Sequence, residues 1–173
     1  GNMTGTLTIP DSVLSIGELA FAGCTGLTSV NIGNGVTTID GHAFAACGAL
    51  ESVYFGNKVA TVKSGAFDLC TNLANIYITD IAAWCNITFA DFDTHPFHNV
   101  MERAENSEAE TEEEILEIFS SNKLYLNNEL ITDLVIPNSV ETINPGVFIF
   151  AGCLTSVTIP SSVKTIGEVA FAY

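Results

Sequence analysis

A period of 23 residues runs through this chain and limits its fold more than any other feature. Cys24, Cys47 and Cys70 recur at that spacing, as do Phe21, Phe44 and Phe67, each preceded by alanine (Ala20, Ala43, Ala66). Leu27, Leu50 and Leu73 form a further column, followed by Val30, Val53 and Ile76. Ile9, Ile32, Phe55 and Ile78 open successive units; Val13, Val36 and Val59, then Ile16, Ile39 and Val62, complete the set. The register returns with Ile136, Val140, Ile143, Phe148, Leu154 and Val157, and again with Ile159, Val163, Ile166, Ala170 and Phe171. Cys153 lies two positions past its column, which Ala151 fills, so that unit is expected to close with only a local change of turn. A fixed period of this size marks stacked units, none of which can bury its apolar face alone.

Twenty-three residues are too few for a helix pair, and Gly, Pro and Thr are frequent. LTSVNI and LTSVTI alternate apolar and polar residues, which reads as a short strand; VLSIG and VKTIG read the same way. Gly17, Gly33, Gly35, Gly41 and Gly167 are read as turn residues. Each unit is then one coil with a parallel strand, stacked on its neighbours at about 4.8 Å. The phenylalanine column, continued by Phe148 and Phe171, is expected to stack inside.

The run I-P-x-S-V-x-x-I-G-x-x-A-F-x-x-C-x-x-L-T-S-V is carried by Ile9, Pro10, Ser12, Val13, Ile16, Gly17, Ala20, Phe21, Cys24, Leu27, Thr28, Ser29 and Val30. It closely resembles the BspA-like leucine-rich repeats of bacterial surface proteins. Asp80, Ile81, Trp84, Cys85, Asn86, Ile87 and Phe89, followed by LYLNNELITDLVIP, resemble an irregular coil of that family. The resemblance implies an α/β-type, predominantly β repeat protein: a right-handed leucine-rich-repeat solenoid with 23-residue coils. It also implies a place on the bacterial cell surface or outside the cell, and binding of extracellular host proteins such as fibronectin and fibrinogen.

The distance from Ile78 to Ile136 is 58 residues, two units plus twelve. We therefore expect one domain over residues 1–173: regular coils at 7–78, one atypical coil with an insertion at 79–130, and regular coils at 131–173. The insertion, MERAENSEAETEEEILEIFSS, carries a helix expected at about 108–119, capped by Ser107 with Glu110 and docked by Ile115, Ile118 and Phe119. Lys123–Leu126 and Glu129–Ile136 are expected to form a β-hairpin around Asn127–Asn128, because Asn tolerates the positive φ of tight turns. Both ends of the chain read as cuts through the repeat rather than as polar caps.

Candidate chemistry is sparse. Five cysteines in a surface protein invite a disulfide reading. Side chains in one column, however, stand about 5 Å apart at Cβ, wider than the ~3.8 Å a disulfide wants, so free thiols are expected. His95 and His98, with Asp91 and Asp93 before them, could suggest zinc, but Pro96 separates the histidines and no further ligands converge. A satisfied loop histidine is the expectation. The acidic segment lacks the alternating Asp/Asn with central Gly of a calcium loop. No G-x-S-x-G elbow or phosphate loop occurs. We expect no enzyme and no cofactor. Trp84 beside Cys85 is read as a packed aromatic.

Charge separates the repeats from the insertion. The net charge is −15, with five Lys and Arg against twenty Asp and Glu, which excludes a basic nucleic-acid-binding face. Hydrophobic residues make up 47%, too many for an acidic disordered chain, yet no apolar run is long enough to span a membrane. Eight Glu and one Arg between Glu102 and Glu117 account for −7 of the total. Tyr54 and Tyr77, one coil apart, are the best exposed candidates for contact with a protein partner; Glu110, Glu113, Glu114 and Glu117 are the candidates on the acidic arm. Three readings compete, in this order: a protein-binding module, a structural spacer that presents another domain, and part of a larger enzyme; the tyrosine placement is compatible with either of the first two, and a monomer is expected.

Overall fold

The computed structural model describes residues 3–109 and 111–172. Each regular coil gives two short strands, and these stack on those of the neighbouring coils as parallel sheets. One sheet contains β1 (Thr4–Thr8), β3 (Gly26–Asn31), β5 (Ser52–Tyr54), β7 (Asn75–Ile78) and β9 (Lys123–Leu126), with β10 (Glu129–Leu130) antiparallel to β9. A second contains β2 (Ser15–Ile16), β4 (Thr38–Ile39), β6 (Thr61–Val62) and β8 (Thr88–Phe89). Past the hairpin, β11 (Asp133–Val135) pairs with β13 (Ser156–Thr158), and β12 (Thr142–Ile143) with β14 (Thr165–Ile166). Paired residues such as Ser29, Ser52 and Asn75, or Ile16, Ile39 and Val62, are 23 apart in sequence. Across the interruption the offset grows to 27 (Val62 to Phe89) and 48 (Ile76 to Leu124), and the two sheets continue as far as β8 and β9.

The core is the set of sequence columns. Val30, Val53, Ile76 and Leu124 point inward from successive strands and are buried. Phe21, Phe44 and Phe67 stack with ring centroids 5.3 and 5.4 Å apart, and Phe148 lies 5.1 Å from Phe171. All five cysteines are free thiols. Cys47 Sγ donates to the Phe21 carbonyl at 3.3 Å and Cys70 Sγ to the Phe44 carbonyl at 3.2 Å, tying each coil to the one before it. In the next coil Asn99 does the same work: its Nδ2 donates to the Phe67 carbonyl at 3.0 Å. Hydrogen bonding to Cys47 and burial push the Cys70 thiol up, and burial pushes Cys85 up to about 12, so both stay protonated and unreactive at neutral pH.

Glycine has a different role from the one expected. Gly33 lies where a Cβ would stand 2.5 Å from the Ile9 carbonyl oxygen, so it lets adjacent coils approach. The left-handed positions form two other columns that flank the phenylalanine. One is Leu19, His42, Gly65, Gly146 and Val169; the other is Gly23, Ala46, Leu69 and Phe150, all with φ between 48° and 70°. Leu19 is 57% exposed at φ 57°, so its side chain gives little packing in return for the strain. Relief of about 1–2 kcal/mol of left-handed strain, less the ~0.4–1 kcal/mol entropic cost of a new glycine, predicts that Leu19→Gly stabilises the fold by roughly 0.5–1 kcal/mol. A urea midpoint that falls instead would refute this assignment of strain.

Among the described residues the interruption holds three α-helices, α1 (Ile81–Cys85), α2 (Asn99–Glu105) and α3 (Glu112–Ser120), and two short 3-10 turns at Phe92–Thr94 and Pro96–His98. Asp80 caps α1 by accepting from the Ala82 and Ala83 amides. The expected 108–119 helix begins later and is capped by Thr111, not Ser107: the Glu114 amide donates to Thr111 Oγ1, and the Glu114 carboxylate accepts from the Thr111 amide. Ser107 instead donates to the Ala104 carbonyl, just past the end of α2, and Glu110 lies outside the described residues. Ile118 and Phe119 dock as expected, whereas Ile115 is exposed. The hairpin turns at Asn127 and Asn128, both at positive φ, but its second strand is only Glu129–Leu130. Residues Asp133–Val135 leave it to pair with β13, because Leu134 and Ile136 belong to the buried columns of the next coil.

Candidate interaction surface

The outward residues of the first sheet form rows across the strands. Thr8, Asn31, Tyr54, Tyr77 and Tyr125 occupy one row by strand register, and Ser29, Ser52, Asn75 and Lys123 the neighbouring one. Tyr54 and Tyr77 are thus brought together, and Tyr125 joins them. Their rings stack with centroids 4.1 and 4.4 Å apart and planes inclined by 10°. All three are half-buried rather than fully exposed, since each ring covers the face of the next. Burial and the flanking Tyr54 and Tyr125 push the Tyr77 hydroxyl up to about 12, so the middle ring of the ladder is uncharged at physiological pH. Leu130, opposite Tyr125 in the hairpin, and Val135 on β11 extend the row with exposed aliphatic side chains.

Tyr125 escaped the sequence reading because it follows Tyr77 by 48 residues, outside the period. Motif alignment would have found it: Asn75-Ile76-Tyr77 and Lys123-Leu124-Tyr125 share the same polar–apolar–Tyr pattern.

The acidic arm forms a second surface. Glu113 and Glu117 are exposed on α3, whereas the carboxylate of Glu114 is engaged with Thr111 in the cap. Between α2 and α3 lies an open groove of about 710 Å³ lined by Arg103, Glu108, Glu114, Glu117 and Ile118 among others. The arm is tethered: Arg103 donates to the Leu73 carbonyl at 3.2 Å and to Asn122 Oδ1, and Val100 is buried. Burial holds the Arg103 guanidinium below its ordinary value.

His95 and Trp84 meet inside the molecule. Trp84 Nε1 donates to the Val147 carbonyl at 2.7 Å, and His95 Nε2 lies 3.3 Å from the same oxygen. His95 Nδ1 accepts from the Phe97 amide at 3.2 Å, so both ring nitrogens are engaged and the ring is a neutral structural group. Asp91 accepts from the Thr94 hydroxyl, and the Asp93 side chain lies outside the described residues. Among the described residues no cluster of three or more His, Cys, Asp or Glu could hold a metal ion, and no helix is long and apolar enough to cross a membrane.

Coils stacked at a constant register, with buried leucine, isoleucine and phenylalanine columns and a parallel sheet, define a leucine-rich-repeat protein. The chain belongs to the BspA-type leucine-rich repeat family: the family model described as "BspA type Leucine rich repeat region" matches residues 2–100 and 118–173 in six copies. The acidic stretch 101–117 falls between the two matched segments. No curated protein matches the chain. Among solved structures it is similar to the T. pallidum leucine-rich repeat protein TpLRR, with 16% identity and a TM-score of 0.45 over 97% of this chain and 78% of that one. It is similar also to a leucine-rich cell surface protein of Faecalibacterium prausnitzii, with 26% identity and a TM-score of 0.49 over 99% of this chain and 40% of that one. A leucine-rich repeat protein of Bacteroides ovatus gives 17% identity and a TM-score of 0.42 over 94% and 47%. The chain thus spans less than half the length of the latter two proteins.

Proposed function

We propose that the chain is a non-enzymatic protein-binding module of a bacterial surface or secreted protein, and that it contacts an extracellular protein through the tyrosine row. Residues 1–173 act as one solenoid, with regular coils at 7–78, an atypical coil carrying the arm at 79–130, and regular coils at 131–173. The family match supports the surface placement in this reading. The observation that carries the reading is the stacked ladder of Tyr54, Tyr77 and Tyr125 on the outer sheet face. Aromatic side chains with a polar edge, held rigid by their neighbours, lose little entropy on binding and dominate contact energetics. Glu113 and Glu117 offer a separate acidic surface for a basic partner, with Glu114 held in the helix cap.

The test is binding to immobilised fibronectin and fibrinogen. Tyr77→Ser removes the middle rung and is expected to weaken binding by roughly tenfold or more. Retention equal to the parent chain, in a variant that keeps its fold by circular dichroism, would leave the structural-spacer reading in its place.

A further inference from the structure

After the interruption β11 and β12 begin separate two-stranded sheets, and the break beside β11 leaves a strand edge open. In a parallel ladder, successive residues turn their N–H and C=O groups to opposite neighbours. In β11 the residues facing β13 are Thr132, Leu134 and Ile136: the Ser156 amide donates to the Thr132 carbonyl at 3.2 Å, and the Ile136 amide to the Thr158 carbonyl at 3.0 Å. Asp133 and Val135 therefore direct their backbone groups toward the preceding coil. Elsewhere that position holds an in-register strand. Here β9 pairs with β10 instead, Ile131 donates back to the Leu124 carbonyl, and among the described residues β11 pairs with β13 alone.

Between β10 and β11 lies a cleft of about 430 Å³ lined by Ile81, Leu126, Glu129, Leu130, Asp133 and Val135 among others. Val135 is 59% exposed and Leu130 44%, which is high for large apolar side chains beside an unpaired edge. Natural sheets normally shield such edges with charge, proline or a covering loop. The rim is acidic on both strands, through Glu129 and Asp133.

We propose that this cleft receives an extended, cationic segment of a partner protein by strand addition to β11. The segment's backbone pairs with Asp133 and Val135, its alternate apolar side chains sit against Leu126, Leu130 and Val135, and its Lys or Arg residues face Glu129 and Asp133. This contact rests on the protein-binding reading above but uses the strand edge at the end of that row rather than the tyrosine rings. Partner main-chain hydrogen bonds supply affinity, and the acidic rim selects against anionic segments.

The probe is a capped peptide of alternating Lys and Val, with a Glu–Val counterpart as control, titrated by fluorescence anisotropy while residue-level amide exchange is followed by NMR. The Lys–Val peptide is expected to bind and to slow exchange at Asp133 and Val135, and the Glu–Val peptide to bind at least tenfold more weakly. Val135→Pro removes the edge donor without touching the bonds to β13, and proline is tolerated on edge strands; it should weaken binding by about tenfold. Glu129→Lys keeps the backbone and should weaken the cationic peptide while improving the anionic one. Tyr77→Ser should leave peptide binding unchanged, so failure of the tyrosine row and failure of the cleft are told apart. Absence of Lys–Val binding, or binding without protection at Asp133, overturns the proposal. Protection at Asp133 that rises with protein concentration, without peptide, also overturns it, because the occupant is then a second copy of the chain.

Discussion

Phe44→Ala is expected to lower the free energy of unfolding by about 3–5 kcal/mol, the range for emptying a fully packed aromatic site. Phe44 is fully buried and sandwiched between Phe21 and Phe67, with ring planes within 9° of parallel. Truncation removes both stacked contacts and leaves a cavity between coils. The neighbours cannot collapse into it, because adjacent backbones are held by the ladder and by the Cys70 thiol on the Phe44 carbonyl. Each coil is stable only through its neighbours, so weakening one interface reduces cooperativity along the stack. Phe21→Ala is the comparison. Phe21 has one ring neighbour and is half-buried, so its loss should be distinctly smaller. Denaturant midpoints at a common slope measure both. A cost for Phe44→Ala of under about 1 kcal/mol, outside the range for core truncation, would show that the column does not carry the core.

Acidification is the second large effect, and it runs through His95. Burial holds the ring down at about 3, against an ordinary value of 6.5, with the Val147 carbonyl opposing the shift and His98 adding to it. An unfolded chain therefore takes up a proton below pH 6.5 that the folded chain refuses until about pH 3. The stabilisation is complete above pH 6.5 and is lost as pH falls toward 3. Within that window the expected slope is about 1.4 kcal/mol per pH unit, a total of several kcal/mol. His95→Gln keeps a donor for Val147 and an acceptor for the Phe97 amide but cannot be protonated. Urea unfolding of both chains from pH 7.5 to pH 4 should give a stability difference that moves against the parent by that slope. A difference independent of pH would place the acid sensitivity in other groups.

The two predictions differ in how far the sequence reaches toward them. Phe44 announces itself, because residues 23 apart are spatial neighbours wherever the period holds. The same logic finds the thiol column, the inward strand residues and the pairing of Tyr54 with Tyr77. Local rules also work: Asn127–Asn128 turns the hairpin, because Asn accepts positive φ. His95 is different. Its sequence neighbours suggest a loop, and its neutrality comes from Trp84, Phe89 and Phe97 packed around it and from Val147 in the next coil. Asn99 in the role of a cysteine thiol, and Arg103 anchoring the arm to Leu73, are equally invisible at the level of motif.

The sequence alone determines the coil register, the buried columns and the family, because a repeat writes each spatial contact as a fixed offset along the chain. It also determines that the charge concentrates in residues 102–117. Tertiary structure decides what happens once that offset is lost. The sheet continues from Ile76 to Leu124 across 48 residues, so Tyr125 completes the ladder. The hairpin spends the free side of β9 on β10, so β11 is left with an open edge. Two S/T-x-x-E patterns compete for the cap of α3, and Thr111 takes it because Ser107 closes α2. These outcomes depend on which backbone groups and apolar surfaces remain unsatisfied after neighbouring coils have packed, and that quantity has no period to be read.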